Sequence, residues 1–264
     1  MKKFKGIVGL NDFFSIKIAS GTVWLSVIRN KQEKNKRKKI LILGETSSLA
    51  EKIIPILTKK DFEIIGTRRN INKKNLKIDS LISLDLSDIK SVKKTLKNIE
   101  NKEFTHVLCL IGAYSYIPSN PVKSLRQINI YINTYVTNLI YFLDNLFYKK
   151  RIKANCRLLV FSSRAAKFGS NDRYYAVAKS ALEGFVKSRG NFLPGNIRIN
   201  IVSAGLIKYS KMYSMMPKKV VLSHEKRSKN SLLDVQAIAS EIADILEDNS
   251  KLSGQIIYLG PQYE

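Results

Sequence analysis

Short apolar runs alternate with amphipathic stretches along most of the chain, and that alternation predicts its architecture. Ile40 to Leu43 is a continuous apolar run stopped by Gly44, the pattern of a strand buried on both faces. Comparable runs recur at 62–65, 81–84, 107–111, 157–161, 197–202 and 255–259. Between them, 47–60, 87–100, 121–148, 173–190 and 232–247 read as helices, with Pro55 an expected kink in the first. Strands alternating with helices predict an α/β fold, a doubly wound sheet of about seven mostly parallel strands. Residues 206–231 are polar, basic and without clear periodicity. A stretch of that length reads as a functional or mobile loop.

Residues 1–38 break the pattern and are read as a basic extension of a single domain at 39–264. Residues 1–39 hold eleven Lys/Arg against two acids, so they supply +9 of the net +25. Their apolar patch, Phe13 to Ile28, is interrupted by Lys17 and is too short and polar for a spanning helix. No small-residue cleavage site follows it, and Lys34, Lys36, Arg37, Lys38 and Lys39 do, which is not a signal-peptide layout. An interfacial segment touching a membrane surface, an oligomer arm and a poorly ordered leader are the readings left open.

Composition changes this picture in three ways. A hydrophobic fraction of 44% is enough for a substantial core. A net charge of +25 attracts phosphates, nucleic acid or an anionic membrane, although a chain rich in Lys, Ile and Asn also carries lysine as plain solvated surface. Two cysteines, Cys109 and Cys156, cannot build a disulfide framework; they read as buried thiols of a reducing, cytoplasmic compartment. Neither His106 nor His224 has Cys or carboxylate neighbours at metal spacing, so no metal site is expected.

The candidate chemistry sits at the carboxyl ends of the strands. After the first strand, Gly44, Thr46, Ser47, Ser48 and Leu49 form a small-residue turn into a helix, where exposed N–H groups can face a pyrophosphate. After the second come Arg68 and Arg69, which suit a 2′-phosphate and so favour NADP over NAD. Asp85 and Leu86 end the third strand, where Asp85 reaches an adenine or caps the next helix. Tyr175 and Lys179 lie one helical turn apart, so an ammonium faces a phenol and lowers its pKa into the range of proton transfer. Twelve residues before Tyr175, Ser163 ends a strand, with Ser162 beside it.

The segment from Leu159 through Ser163, Tyr175 and Lys179 to Gly184 resembles the active-site segment of the short-chain dehydrogenase/reductase family. So do Arg198 to Gly205, which looks like the strand leading to that family's Pro-Gly turn, and Ser253 to Gly260, which is similar to its terminal strand. The resemblance spans about residues 39–260 and implies a Rossmann-like domain that binds NADP(H). It implies Tyr175 as general acid/base, Lys179 as its modulator and ribose ligand, and Ser163 as the group orienting the reacting oxygen. It further implies that Asn133 holds a water leading from the lysine to solvent, and that Gly112 and Gly205 line the cofactor. A small carbonyl or secondary-alcohol substrate and a homodimer or homotetramer follow from the same resemblance. Tyr114, Tyr116, Tyr131, Tyr135 and Tyr141 are then packing residues.

The sequence also departs from the family pattern. Ser48 and Ala50 stand where glycines are usual, Cys109 and Leu110 replace two asparagines, and Ala204 replaces a proline. These departures keep open a nucleotide-binding scaffold without turnover. No specific nucleic-acid partner is expected, though the basic surface admits salt-sensitive association. A sugar epimerase or dehydratase of the related extended family is a third reading, which calls for a larger C-terminal substrate domain than the about 60 residues that follow the sixth strand. Lys208, Lys211, Lys218, Lys219, Lys226 and Arg227, all within 206–231, suggest an anionic substrate.

Overall fold

The computed structural model describes residues 13–19, 22–28, 37–70, 78–112, 121–170, 172–227, 232–248 and 250–260. The chain divides into two units, Met1–Arg37 and Lys38–Glu264. In the first, β1 (Phe13–Ala19) and β2 (Thr22–Ile28) pair antiparallel, from Phe13 opposite Ile28 to Ala19 opposite Thr22. The apolar patch of the basic extension therefore forms strands. Residues 1–12 and 29–36, with most of the extension's charge, lie outside the described residues.

The second unit is built on seven strands: β3 (Lys38–Leu43), β4 (Phe62–Arg68), β5 (Ser80–Ser83), β6 (Phe104–Cys109), β7 (Ile152–Ser163), β8 (Arg198–Ala204) and β9 (Ile256–Leu259). All pair parallel, in the order β5-β4-β3-β6-β7-β8-β9. The helices are α1 (Ser48–Lys59), α2 (Ile89–Asn98), α3 (Pro121–Ile132), α4 (Leu139–Asn145), α5 (Ala165–Phe168), α6 (Arg173–Gly190), α7 (Lys211–Met215), α8 (Lys218–Arg227) and α9 (Val235–Glu247). Strand β3 shows why its apolar run is continuous. Ile40 and Ile42 join the core with Ile53 and Leu57 of α1 and Ile238 and Ile242 of α9. Leu41 and Leu43 face the opposite way, toward Val92 of α2, Phe142 of α4 and Leu182 of α6. All four are fully buried, each contributing about 1.5–3 kcal/mol.

Two expectations are corrected. The stretch 121–148 is not one regular helix, because a π-helical segment, Asn133–Asn138, separates α3 from α4. The wider turn re-phases the side chains. Tyr131 and Tyr135 pack with Tyr175 and Ala178 of α6, whereas Leu139, Phe142 and Leu143 enter the sheet core. The stretch 206–231 is not simply irregular either, since it holds α7 and α8. Their few apolar anchors, such as the buried Val221, leave no clear periodicity to read. Helix α7 starts at a Ser210 cap, which accepts from the Tyr213 N–H at 3.1 Å.

The C-terminal end of α6 is fixed by close backbone approach. A Cβ on Gly190 would lie 2.3 Å from the Gly254 nitrogen, and that nitrogen donates to the Ile199 carbonyl of β8 at 2.7 Å. Only glycine permits that approach.

Candidate active site

The sheet order reverses between β3 and β6, so the loops leaving these strands part and open a crevice at their carboxyl ends. A cavity of about 1050 Å³ lies there, large enough for a dinucleotide beside a small substrate. Among the described residues, no helix is long and apolar enough to cross a membrane, and no three His, Cys, Asp or Glu side chains are grouped to hold a metal.

One end of the cavity is the turn between β3 and α1. Gly44 takes φ +82°, and the carbonyl of that residue accepts from the Ser47 N–H at 3.1 Å. Ser47 caps α1 by accepting from the Ala50 N–H at 3.1 Å, and Thr46, Ser47, Ser48 and Leu49 line the cavity. A helix start of this kind presents N–H groups and a partial positive charge to an anion.

At the end of β4 the two arginines part company. Arg68 is 8% exposed, and its Nε donates to the carboxylate of Glu45, which is fully buried in the phosphate turn. Gly66 makes room for that carboxylate, because a Cβ there would lie 2.8 Å from Glu45 Cγ. The expected pair of free arginines is therefore corrected: Arg68 is committed to an internal ion pair, while Arg69 is exposed at the cavity rim. Asp85 also lines the cavity, and its Oδ1 accepts from the Ser87 N–H at 2.9 Å and the Ser87 hydroxyl at 2.7 Å. Asp88, not Asp85, caps α2. Leu86 is buried, and its carbonyl accepts from the Asn138 amide at 2.7 Å.

The other end gathers Ser163, Tyr175 and Lys179. Ser163 stands at the end of β7, and its Oγ accepts from the Ala165 N–H at 3.2 Å. Tyr175 lies in the first turn of α6, where its N–H donates to the Asp172 cap at 3.0 Å. Burial pushes the phenol up to about 12; a hydrogen bond from Ser163 opposes this, and the Asp172 carboxylate adds to it. Ser162 is buried as well, but Ser163 is the serine that touches the phenol. The Lys179 Nζ donates to the carbonyls of Phe161 at 2.8 Å and Ile111 at 3.1 Å, 5.8 Å from the Tyr175 ring centre. Burial lowers this ammonium to about 8, against the pull of Cys109 and Glu183. The expected lowering of the phenol by its lysine is thus corrected: burial raises the phenol, and the group that opposes it is Ser163, not Lys179. Gly112 is needed beneath the lysine, because a Cβ there would lie 2.6 Å from Nζ.

Gly205 lines the cavity after β8. Asn133 does not: it opens the π-helical segment, its side chain is exposed, and its neighbour Thr134 lines the cavity instead. Sequence reasoning also missed a latch. The Lys211 N–H donates to Ser48 Oγ at 2.9 Å, its Nζ donates to the Thr46 carbonyl, and Nζ stands 3.5 Å from Glu51. Only the basic character of residues 206–231, the lid over the cavity, was visible in the chain. Met212, Met215, Met216 and His224 close the cavity from the same side.

A family model described as enoyl-(acyl carrier protein) reductase matches residues 44–260. The chain belongs to the short-chain dehydrogenase/reductase family. As a member of this family of dehydrogenases and reductases, it shares its fold with many solved structures. A short chain dehydrogenase family protein from Francisella tularensis is 19% identical with a TM-score of 0.72, over 84% of this chain and 97% of that one. The ligand-free aldohexose dehydrogenase of Thermoplasma acidophilum is 16% identical with a TM-score of 0.71, over 84% and 92% of the two chains. A small-chain dehydrogenase solved in complex with NADPH is 18% identical with a TM-score of 0.66, over 85% and 97%. No curated protein matches the sequence. At these identities the solved structures speak for the fold, and the chemistry must be argued from the site.

Proposed function

We propose that this family member is an NADP(H)-dependent oxidoreductase that interconverts a carbonyl compound and a secondary alcohol through Ser163, Tyr175 and Lys179. One observation carries the reading: at the switch point of the sheet, the Ser163 hydroxyl touches the Tyr175 phenol, with the Lys179 ammonium behind it. The cradle fits a dinucleotide. The Gly44 turn and the start of α1 would hold the pyrophosphate, Asp85 and Leu86 the adenine side, Arg69 the 2′-phosphate, and Gly112, Lys179 and Gly205 the nicotinamide side. Arg69 favours NADP over NAD, and the fold neighbour that binds NADPH agrees with that choice.

When bound, the reduced nicotinamide supplies the hydride for the carbonyl carbon. Ser163 holds the carbonyl oxygen by donating its hydroxyl, and stabilises the charge that grows there. Tyr175 donates its phenolic proton to that oxygen; with its pKa near 12, the phenol is fully protonated at neutral pH and acts as an acid. Lys179 stabilises the tyrosinate left behind, and the carbonyls of Phe161 and Ile111 hold its ammonium in place. Asn133 remains a proposed contributor to proton refill only through its backbone, because its side chain faces solvent.

The test is NADPH oxidation over a panel of ketones and aldehydes. Turnover should appear, and Tyr175→Phe should lower it about 10²–10⁴-fold without weakening NADPH binding. NADPH binding with no turnover on any carbonyl would leave a nucleotide-binding scaffold instead. The boundary expected at 38/39 falls one residue earlier, because Lys38 pairs with Phe62 in the sheet; we assign residues 1–37 to a basic segment whose proposed contact is an anionic membrane surface, and 38–264 to the NADP-binding domain. A homo-oligomeric assembly in the cytoplasm completes the proposal, with size-exclusion chromatography coupled to light scattering as its check.

A further inference from the structure

The catalytic end of the cavity is walled by apolar side chains that the fold itself leaves partly uncovered. The chain has four methionines, and three of them, Met212, Met215 and Met216, fall within five residues of the lid and line the cavity. Met215 is 66% exposed, Phe168 of α5 is 55% exposed and Ile130 of α3 is 51% exposed, and all three lie on the cavity wall. Large apolar groups left in water around one concave site mark a surface that a ligand covers. Methionine is unbranched and polarisable, so a wall of it adapts to flexible hydrocarbon.

The cations that would suit an anionic substrate are elsewhere. Lys208, Lys218, Lys219 and Lys226 lie outside the cavity wall. Among the described residues, the Lys and Arg side chains that do line it are committed or distant. Lys211 is turned to Thr46 and Glu51, and Lys179 to two carbonyls. The Arg164 guanidinium donates to the Gly260 carbonyl at 2.7 Å, Arg68 is paired with Glu45, and Arg69 is at the opposite end. The wall as described therefore gives more support to an apolar substrate than to the anionic one suggested by the sequence of 206–231.

We infer that the substrate is an uncharged carbonyl compound whose flexible hydrocarbon arm lies along the wall of Met212, Met215 and Met216. This rests on the oxidoreductase reading for the carbonyl, and on the wall alone for the arm. The Ser163–Tyr175 pair takes the oxygen, and the arm runs from there under α7 toward the mouth between Phe168 and Met215.

The experiment measures binding of the 2-alkanones from butanone to decanone by calorimetry, to full-length protein with and without saturating NADP⁺, a state that cannot reduce them. Affinity should rise about two- to fourfold per added methylene. 9-Oxodecanoate, which carries a carboxylate in place of the terminal methyl of 2-decanone, should bind at least tenfold more weakly. Replacing Met212, Met215 and Met216 together by Gln should flatten the chain-length slope, with NADPH affinity retained as the mark of a folded protein. If that variant loses NADPH binding, Met215→Gln alone is used and should reduce the slope in part. A flat slope in the wild type, or tighter binding of the carboxylate, overturns the inference while leaving the oxidoreductase reading intact. A chain-length slope in a protein that binds no NADP(H) supports the apolar wall and sinks the oxidoreductase reading. Binding of neither sinks both.

Discussion

The two ends of the cavity are built by opposite means. At the catalytic end, Tyr175 and Lys179 are 6% and 4% exposed, and the lysine is held by main-chain carbonyls of β7 and of the loop after β6. At the phosphate end, the turn is latched by Lys211, whose side chain is 62% exposed. Strands already fixed by the core hold the first end. The second end is held by one buried ion pair, Arg68 with Glu45, and by the surface contacts of Lys211, which can be exchanged singly at small cost. This explains how the glycines at positions 48 and 50 can be absent while the Ser163, Tyr175 and Lys179 set stands.

The sharpest way to break the contrast is Arg68→Ala, because it strikes the buried ion pair of the phosphate end. Glu45 would be left as an uncompensated charge, and urea unfolding should show a loss of about 3–5 kcal/mol. Gly112→Ala should separate stability from activity. The added methyl meets only the movable tip of Lys179, so the melting temperature should hold within a few degrees while kcat falls about a hundredfold. Arg69→Ala should weaken NADPH about tenfold and leave NADH unchanged, measured by fluorescence titration. A change of equal size for both nucleotides would remove the 2′-phosphate role.

The pH profile sharpens the catalytic side of the comparison. Lys179 gives up its proton as the pH rises past about 8, so the rate of carbonyl reduction should fall above that point, toward about tenfold per pH unit. Stability runs the other way for this group. Between about 8 and its ordinary value of 10.5 the unfolded chain holds a proton that the folded protein has released, so folding gains from this lysine as the pH rises through that window. Tyr175 acts oppositely, since its raised pKa makes folding lose stability between 10 and about 12. The smallest effect is expected from Lys211→Met, about a two- to fivefold loss of NADPH affinity that fades with added salt.

The strand and helix order was legible because the central strands β3, β4 and β6 are buried on both faces and spell themselves as apolar runs, as Ile40 to Leu43 does. Tyr175 and Lys179 were legible because their relation is local, one turn of one helix. What could not be read depends on chain segments far apart. Glu45 meets Arg68 across 23 residues, and only because Gly66 leaves space. Lys211 reaches Ser48 across 163 residues. The π-helical segment escaped because the halves of 121–148 on either side of it each keep helical spacing, and the one wide turn between them carries no residue type of its own to read. The lid helices escaped because so few of their residues are buried.

The touching backbones of Gly190 and Gly254 extend the catalytic apparatus to a part of the chain that holds none of its reactive groups. Helix α6 spans about 22 Å from Tyr175 to Gly190 at ~1.5 Å per residue, and its far end rests on the segment that leads into β9. Shortening the protein before position 254 would free that end to swing, and a small angle there becomes a displacement of the phenol. The carboxyl-terminal strand is thus a foundation for the proposed proton transfer, and a bulky fusion that strains it should be felt in turnover before it is felt in folding.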